Sequence, residues 1–577
     1  MNKNKSVTSK VVSLVFVLAG LSTTFAVNAE GYEIWGSDQS NSSAGVASRG
    51  VDGSYMWIWD SEDMEAQFAG GTDAVPKGCE GKKTSKPGPC DLKDVFPGSL
   101  KEYDASGKFT GKRLKDLPAF GRLHGMLPDP QHKYMNINAF APGGGYVGIV
   151  DGETKGAIAL FRVTATNGTG VSRSLHMSFW NKDGSALLLA NLHGKVLERI
   201  DITRNKKGKI TNAEFNTSAS LGVGKNMSVL DGAKVYKGKN GQGEKMIGSV
   251  SGSYNSAAFA NLTPAGNCKE NGCGDGPDGG RGNTVIVCPI VSDSDKAYVT
   301  FGAGGLLIAD TNTTPMTIIG EYGNSDAVNG INGAGCGGIQ VGDEMWLNAG
   351  ASASGAGATQ STFTMYTLDD TSYGAGYTPN MPAANVVFKD ATNTLTIGNT
   401  VGTSSVNTTG QIPGVSTRRD AHGMARTLSG SHIHNVDRIQ NVVEVFNTAT
   451  YAHTSYDLTS ADGQGNGVGA CAAASVSDDA GLPGNDPAPD LMDTTPDGKY
   501  LVVALRGPTP VSVTHAAQGS CPGVGFIELS NGGASGRLAG VLRTTNTLDT
   551  SPVAAAGGHA YTGSEHSDIH GAAIRKK

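Results

Sequence analysis

Four histidines, two cysteines and an aspartate fall at one position of a weak internal repeat: His124, His176, Cys288, Cys336, His422, Asp490 and His570. Every one is a residue type that ligates metals. They lie far apart in the chain, so no helical spacing brings them together. They meet only if each sits on an equivalent strand around a common axis. Imidazole suits copper, zinc or iron, and thiolate shifts the preference towards copper(I) or zinc. A closed four-ligand site is structural, whereas open positions let a metal bind and activate a small molecule. A lone histidine at such a turn ordinarily holds neighbouring strands by hydrogen bonds, and Asp490 alone reads as a turn cap. Four imidazoles in one column shift the balance towards a metal site, with His124, His176, His422 and His570 as ligands. Asp490 is then a further ligand or a proton acceptor.

The elements that must position these residues are short strands. His124-Gly-Met-Leu-Pro is followed by Tyr134, and Leu175-His176-Met-Ser-Phe by Asp183-Gly184 and the apolar run Ala186 to Leu189. The same frame recurs from Cys288 to Phe301, from Cys336 to Leu347, from His422 to His434 and from Asp490 to Val503. A third β-rich run follows each pair, as in Tyr146 to Asp151, Val196 to Asp201 and Val442 to Phe446. One such meander cannot bury both faces alone and must pack against others in a ring, so a four-stranded blade is the expected unit. The C-terminal run Asp568-Ile-His570-Gly-Ala-Ala-Ile is a first strand with nothing after it, while Tyr32-Glu-Ile-Trp and Tyr55 to Asp60 supply a second and third. Pairing the two ends closes the ring and removes its open edges. The expected fold is therefore an all-β, seven-bladed β-propeller over residues 30–577, with insertions at 61–118, 205–287 and 370–418. The second insertion is long enough for an eighth blade. The loops after the second strands hold His193, His432 and His434, and could add proton relays at a channel mouth. Arg506, Asp38 and Asn41 lie in equivalent loops, where Arg506 and Asp38 read as an ordinary polar rim.

Composition supports this class. Of 577 residues 83 are Gly and only 17% are charged, which suits tight turns better than long amphipathic helices. Residues 1–29 read as an export signal: Lys3, Lys5 and Lys10, an apolar run from Val11 to Phe25, and Val27-Asn28-Ala29 before Glu30. Beyond them the 52 acidic side chains outnumber the basic ones, of which the whole chain has 46, disfavouring a nucleic-acid partner. No later stretch has the ~20 apolar residues that span a bilayer. A periplasmic or secreted location follows, and in an oxidising compartment the eight cysteines read first as disulfides. Cys79 with Cys90 and Cys268 with Cys273 bracket short loops, and Cys471 with Cys521 span a longer one. Cys288 and Cys336 pair or supply thiolates, with the disulfide favoured. Asp275 to Gly282 has carboxylates for calcium but not EF-hand spacing. Cys-x-x-Cys-His haem, phosphate-loop and Gly-x-Ser-x-Gly motifs do not occur.

Thr495-Pro-Asp-Gly-Lys-Tyr-Leu-Val-Val resembles the seven-bladed propellers of the YVTN type, which implies fold rather than activity. Leu189-Ala-Asn-Leu-His193-Gly-Lys-Val-Leu-Glu-Arg-Ile-Asp201 is similar to a one-blade stretch of the selenium-binding, methanethiol oxidase propellers. A histidine-lined channel resembles, at greater distance, the copper propellers of nitrous oxide reductase and thiocyanate dehydrogenase. The chain lacks the reductase's His-His pair and its cupredoxin-like domain.

The sequence thus points to a copper-dependent oxidoreductase acting on a small sulfur- or nitrogen-containing molecule. His193, His434 and Asp490 are its expected proton-handling groups, and electrons leave to a separate carrier such as a soluble cytochrome. The competing expectations are a non-catalytic propeller that binds protein, glycan or cell surface, and copper storage or delivery without turnover.

Overall fold

The computed structural model describes residues 31–39, 55–79, 87–116, 120–141, 144–163, 175–223, 232–255, 285–302, 305–322, 335–351, 362–376, 382–390, 419–476, 484–509, 518–547 and 561–577. The expected signal segment, Asn41, the Cys268 and Cys273 loop and the Asp275 to Gly282 run lie outside them.

Alternation of apolar and small residues in short runs, broken by Asn, Asp and Gly turns, produces antiparallel meanders. The described strands form seven sheets in a ring, a β-propeller. Their inner strands, in ring order, are Ile569–Lys576, Arg122–Pro128, Leu175–Trp180, Ile286–Val291, Gly338–Val341, Ala421–Arg426 and Pro489–Thr494. Inner strands of neighbouring sheets touch, and Pro489–Thr494 packs back on Ile569–Lys576 to complete the circle. The Cys288–Cys336 disulfide ties the fourth sheet to the fifth.

Closure is made as expected from the chain ends. Ile569–Lys576 pairs antiparallel with Tyr32–Asp38, which pairs with Tyr55–Asp60. Buried ion pairs fasten the same seam, with Lys155 and Arg575 both 2.8 Å from the Glu33 carboxylate. The apolar cores lie between sheets: Trp57, Trp59, Val524 and Phe526, for example, share one cluster across the junction of the first and last sheets.

The insertions differ from plain loops. Residues 61–118 supply Cys90–Asp91, the outermost strand of the closing sheet, and two further strands, Lys101–Tyr103 and Phe109–Arg113. Those two join the second sheet through Lys234–Lys237, which comes from the 205–287 insertion. The described part of that insertion also gives the third sheet Ile210–Asn216 and Ser249–Ser251. It extends existing sheets and builds no eighth one, because its strands find open edges already in place. Disulfides close Cys79 to Cys90 and Cys471 to Cys521, matching the sequence expectation.

Candidate metal centre

The inner strands share a local irregularity at the repeat position. In six of them the pairing with the neighbouring strand slips where the column residue sits: at His124, His176, Cys288, His422, Asp490 and His570. A β-bulge leaves its extra residue out of the ladder, bends the strand and re-aims the side chain. The column is thus a ring of bulges. Cys336 instead lies two residues before its strand, Gly338–Val341.

Carbonyls freed by the bulges are held by asparagines of the second strands. Asn435 Nδ2 donates to the Gly423 carbonyl at 2.6 Å, Asn348 Nδ2 to the His422 carbonyl at 2.5 Å, and Asn138 Nδ2 to the Gly125 carbonyl at 3.4 Å. These buried asparagines were not singled out in the sequence. Their signal is a polar residue at an inward position of an otherwise apolar second strand.

The bulges bring the four imidazoles together. Ring centroids of His124 lie 4.0 Å from His176 and 3.8 Å from His570, and His422 lies 5.7 Å from His570. Asp490 faces two of them, with Oδ1 2.9 Å from His422 Nε2 and Oδ2 3.8 Å from His570 Nε2. His570 Nδ1 donates to the His124 carbonyl at 2.7 Å, which presents Nε2 as the lone-pair nitrogen. A ring N–H held by a carbonyl, with the other nitrogen left open, is how metal-binding histidines are oriented. Metal–ligand distances of about 2.0–2.2 Å put adjacent tetrahedral donors roughly 3.3 Å apart. The Asp490 separations bracket that spacing, so His422, Asp490 and His570 fit one ion.

Burial sets the protonation states. It pushes His176 down to about 3, with the His422 and Arg122 side chains adding to the effect. Burial also holds His570 well below its usual range; Asp490 opposes this, and Arg506 reinforces it. Burial would raise Asp490, but His422, His570 and Arg438 outweigh it and hold the carboxyl well below the usual range. The neutral imidazole that burial favours at His176 and His570 is the ligating form.

Behind Asp490 lies a buried ionic chain. Arg438 contacts Asp490 at 3.3 Å and Asp420 at 2.6 Å, and Arg506 contacts Asp490 and Asp568, each at 2.7 Å. Three carboxylates and two guanidiniums thus alternate on groups almost wholly out of water, and the two guanidiniums hold the Asp490 carboxylate in place. Arg506 and Asp38, expected as an ordinary rim, are fully buried: Asp38 accepts from Trp57 Nε1 and from the Asp568 backbone N–H.

Two expected site residues do not join the group. His434 is buried between its own sheet and the next, with Nδ1 3.0 Å from Tyr456 Oη on the fourth strand and Nε2 2.9 Å from the Gly533 carbonyl in a turn of the neighbouring sheet. Its side chain follows the sheet's two-residue alternation away from the axis. His193 is half-buried in the turn after Ala186–Asn191. Cys288 and Cys336 are bonded to each other and supply no thiolates; Cys288 Sγ lies 3.7 Å from His176 Nδ1.

On the other side of the column, towards the hairpin turns, a cavity of about 790 Å³ opens. Its wall includes Met126, Met177, Met424 and Met492, each one or two residues beyond a column member on its strand, and it reaches column level at Cys336. Three layers therefore stack along the axis: a cavity whose wall carries four methionines among charged and polar side chains, the imidazoles, and the Asp–Arg chain.

No family model matches the chain, and no curated protein matches it. Among solved structures, a protein from Lactobacillus plantarum is similar over 94% of this chain and 99% of its own, at 10% identity and a TM-score of 0.42. The periplasmic gluconolactonase of Pseudomonas aeruginosa is similar over 89% and 98%, at 9% identity and a TM-score of 0.39. Kuenenia stuttgartiensis hydrazine synthase is similar over 70% and 76%, at 12% identity and a TM-score of 0.34.

Proposed function

We propose that this protein is an exported, metal-dependent oxidoreductase that holds copper at the propeller axis and acts on a small sulfur- or nitrogen-containing molecule in the adjoining cavity. The observation that carries the reading is the convergence of four bulge-borne imidazoles at the axis, two of them facing Asp490. His422, Asp490 and His570 would hold the ion, with His124 and His176 beside them. Copper is favoured over harder ions because the donors are mostly imidazole and four methionines stand on the cavity wall. Bound there, it would supply one-electron chemistry and polarise a coordinated substrate atom.

The chain's own residues do the remainder. The His124 carbonyl fixes the His570 tautomer, and Arg438 and Arg506 fix Asp490 and keep it anionic. The methionines place apolar, polarisable surface next to the column, and the cavity leaves room for a small molecule. With no haem-attachment motif in the sequence, electrons are assigned to a separate carrier such as a soluble cytochrome. An oxidising, exported location is supported by residues 1–29 and by the disulfides. No described helix is long and apolar enough to cross a membrane.

The test is metal analysis of protein purified after export, followed by oxidation assays with small thiols and thiocyanate. Wild type is expected to carry stoichiometric copper, and the double variant His422→Gln with His570→Gln to fall to background while its circular dichroism is unchanged. Full metal content in that variant overturns the site. Copper without turnover of any substrate favours storage or delivery, and metal-free wild type favours a binding propeller.

A further inference from the structure

Cys288 and Cys336 occupy two positions of the same column that carries the imidazoles, on inner segments of adjacent sheets. The other two described disulfides sit elsewhere. Cys79–Cys90 closes a loop of the first insertion, and Cys471–Cys521 lies within the core of the last two sheets. Only the axial pair touches the cavity, among the described disulfides, and it does so through Cys336. Cys288 is wholly buried, and its Sγ lies 3.7 Å from His176 Nδ1. The donor atoms of His176, Cys288 and Cys336 all fall within 4.8 Å of one another. A disulfide placed only to join two sheets needs neither an imidazole against one sulfur nor a cavity against the other.

We propose that Cys288–Cys336 is a redox-active pair whose reduced form, together with His176, is a second soft-metal site at the cavity floor. The reductant is a small thiol entering the cavity. Its thiolate attacks the Sγ of Cys336, the cysteine that lines the cavity; the Cys288–Cys336 bond breaks, and Cys288 departs as a thiolate beside His176. A second thiol then attacks the mixed disulfide. Two thiols are oxidised to one symmetrical disulfide, the cystine takes up their two electrons, and their two protons end on the new cysteine thiols. The reduced pair and the imidazole form a sulfur-rich set suited to copper(I) or zinc, and binding displaces the thiol protons. In the oxidised chain the same three residues offer only one strong ligand. Metal capacity at this position is thus gated by the redox state of the pair, separately from the His422, Asp490 and His570 site.

The experiment uses the full-length protein with cobalt(II) as the probe metal. Graded 2-mercaptoethanol is followed by alkylation and mass mapping of all cysteines. Cys288 and Cys336 are expected to become alkylatable at least ten-fold earlier than Cys79, Cys90, Cys471 and Cys521. The reduced protein is expected to bind one additional cobalt per chain with a thiolate charge-transfer band, and bound cobalt is expected to slow alkylation of Cys336. Cys336→Ser is expected to lose the band, and should it fail to fold, the alkylation protection in wild type decides alone. In the His422→Gln, His570→Gln double variant the band is expected to persist, which separates this proposal from the imidazole site. Reduction of all three described disulfides together, or a reduced protein that gains no thiolate-bound cobalt, overturns it.

Discussion

At the residue scale, the centre depends on keeping charge where burial resists it. Asp490 stays ionised because cations and imidazoles surround it, whereas Glu198 shows the same burial without them. Glu198 is fully buried on the third sheet, and burial pushes its carboxyl up to about 7 although Tyr254 Oη donates to it at 2.8 Å and Asn191 Nδ2 at 3.3 Å. The folded pKa therefore lies above the unfolded value near 4.3. Between about pH 4.3 and 7 the folded chain keeps a proton that the unfolded chain releases, so stability falls as pH rises through this window and levels off above it. At roughly 1.4 kcal/mol per unit the loss is on the order of 4 kcal/mol. Glu198→Gln mimics the protonated acid and is expected to be more stable than wild type at pH 8, with the advantage fading by pH 4.5. Urea midpoints of both proteins at the two pH values check this; an equal difference at both would assign Glu198 no titration in the window.

At the scale of the strand, the bulge is the device that converts a repeat into a site. Gly423 follows His422 within its bulge, and a Cβ there would lie 2.2 Å from the Asp490 carbonyl oxygen and 2.7 Å from Leu491 Cα. Both are backbone atoms of the next inner strand and cannot swing aside. Gly423→Ala is expected to separate these two strands, to cost about 1–3 kcal/mol in urea unfolding, and to lower copper content several-fold although no ligand changes. Wild-type copper stoichiometry in that variant would show that bulge spacing does not set the centre. Much of this level was legible in the sequence. The position of every column residue followed from the repeat, because turn residues and β-rich runs recur in register, and the first three strands of each meander were marked by apolar runs such as Ala186 to Leu189. Fourth strands such as His453–Asp457 were not, since they are largely exposed and carry polar residues like those of loops. The bulges were also hidden, because slippage in pairing depends on the partner strand. For the same reason Arg438 and Asp420 passed unnoticed: a salt bridge that reaches Asp490 from another sheet leaves no spacing signal in one chain.

At the scale of the whole molecule, the site exists only when the ring is shut. His570 arrives on the last strand of the chain, and Ile569–Lys576 forms the inner edge of a sheet whose other strands begin at Tyr32. That strand also packs on both neighbouring inner strands, Arg122–Pro128 and Pro489–Thr494, and carries Arg575 to Glu33. Removing residues 569–577 therefore deletes one proposed ligand, uncovers the ladder edge of Tyr32–Asp38 and takes away the inner-strand part of the contact between the first and last sheets at once. An opened ring leaves apolar faces and unpaired edges that recruit other chains. The truncated protein is expected to elute as aggregates in size-exclusion chromatography and to lose the single cooperative urea transition of the full chain. A synthetic peptide spanning 566–577 adds back the missing strand by main-chain pairing, and is expected to restore both the monomer peak and copper binding. The same peptide with His570→Gln should restore the monomer but not the full metal content, which separates closure from ligation. A truncated chain that stays monomeric with the wild-type midpoint would show that closure by the terminal strand does not hold the propeller together.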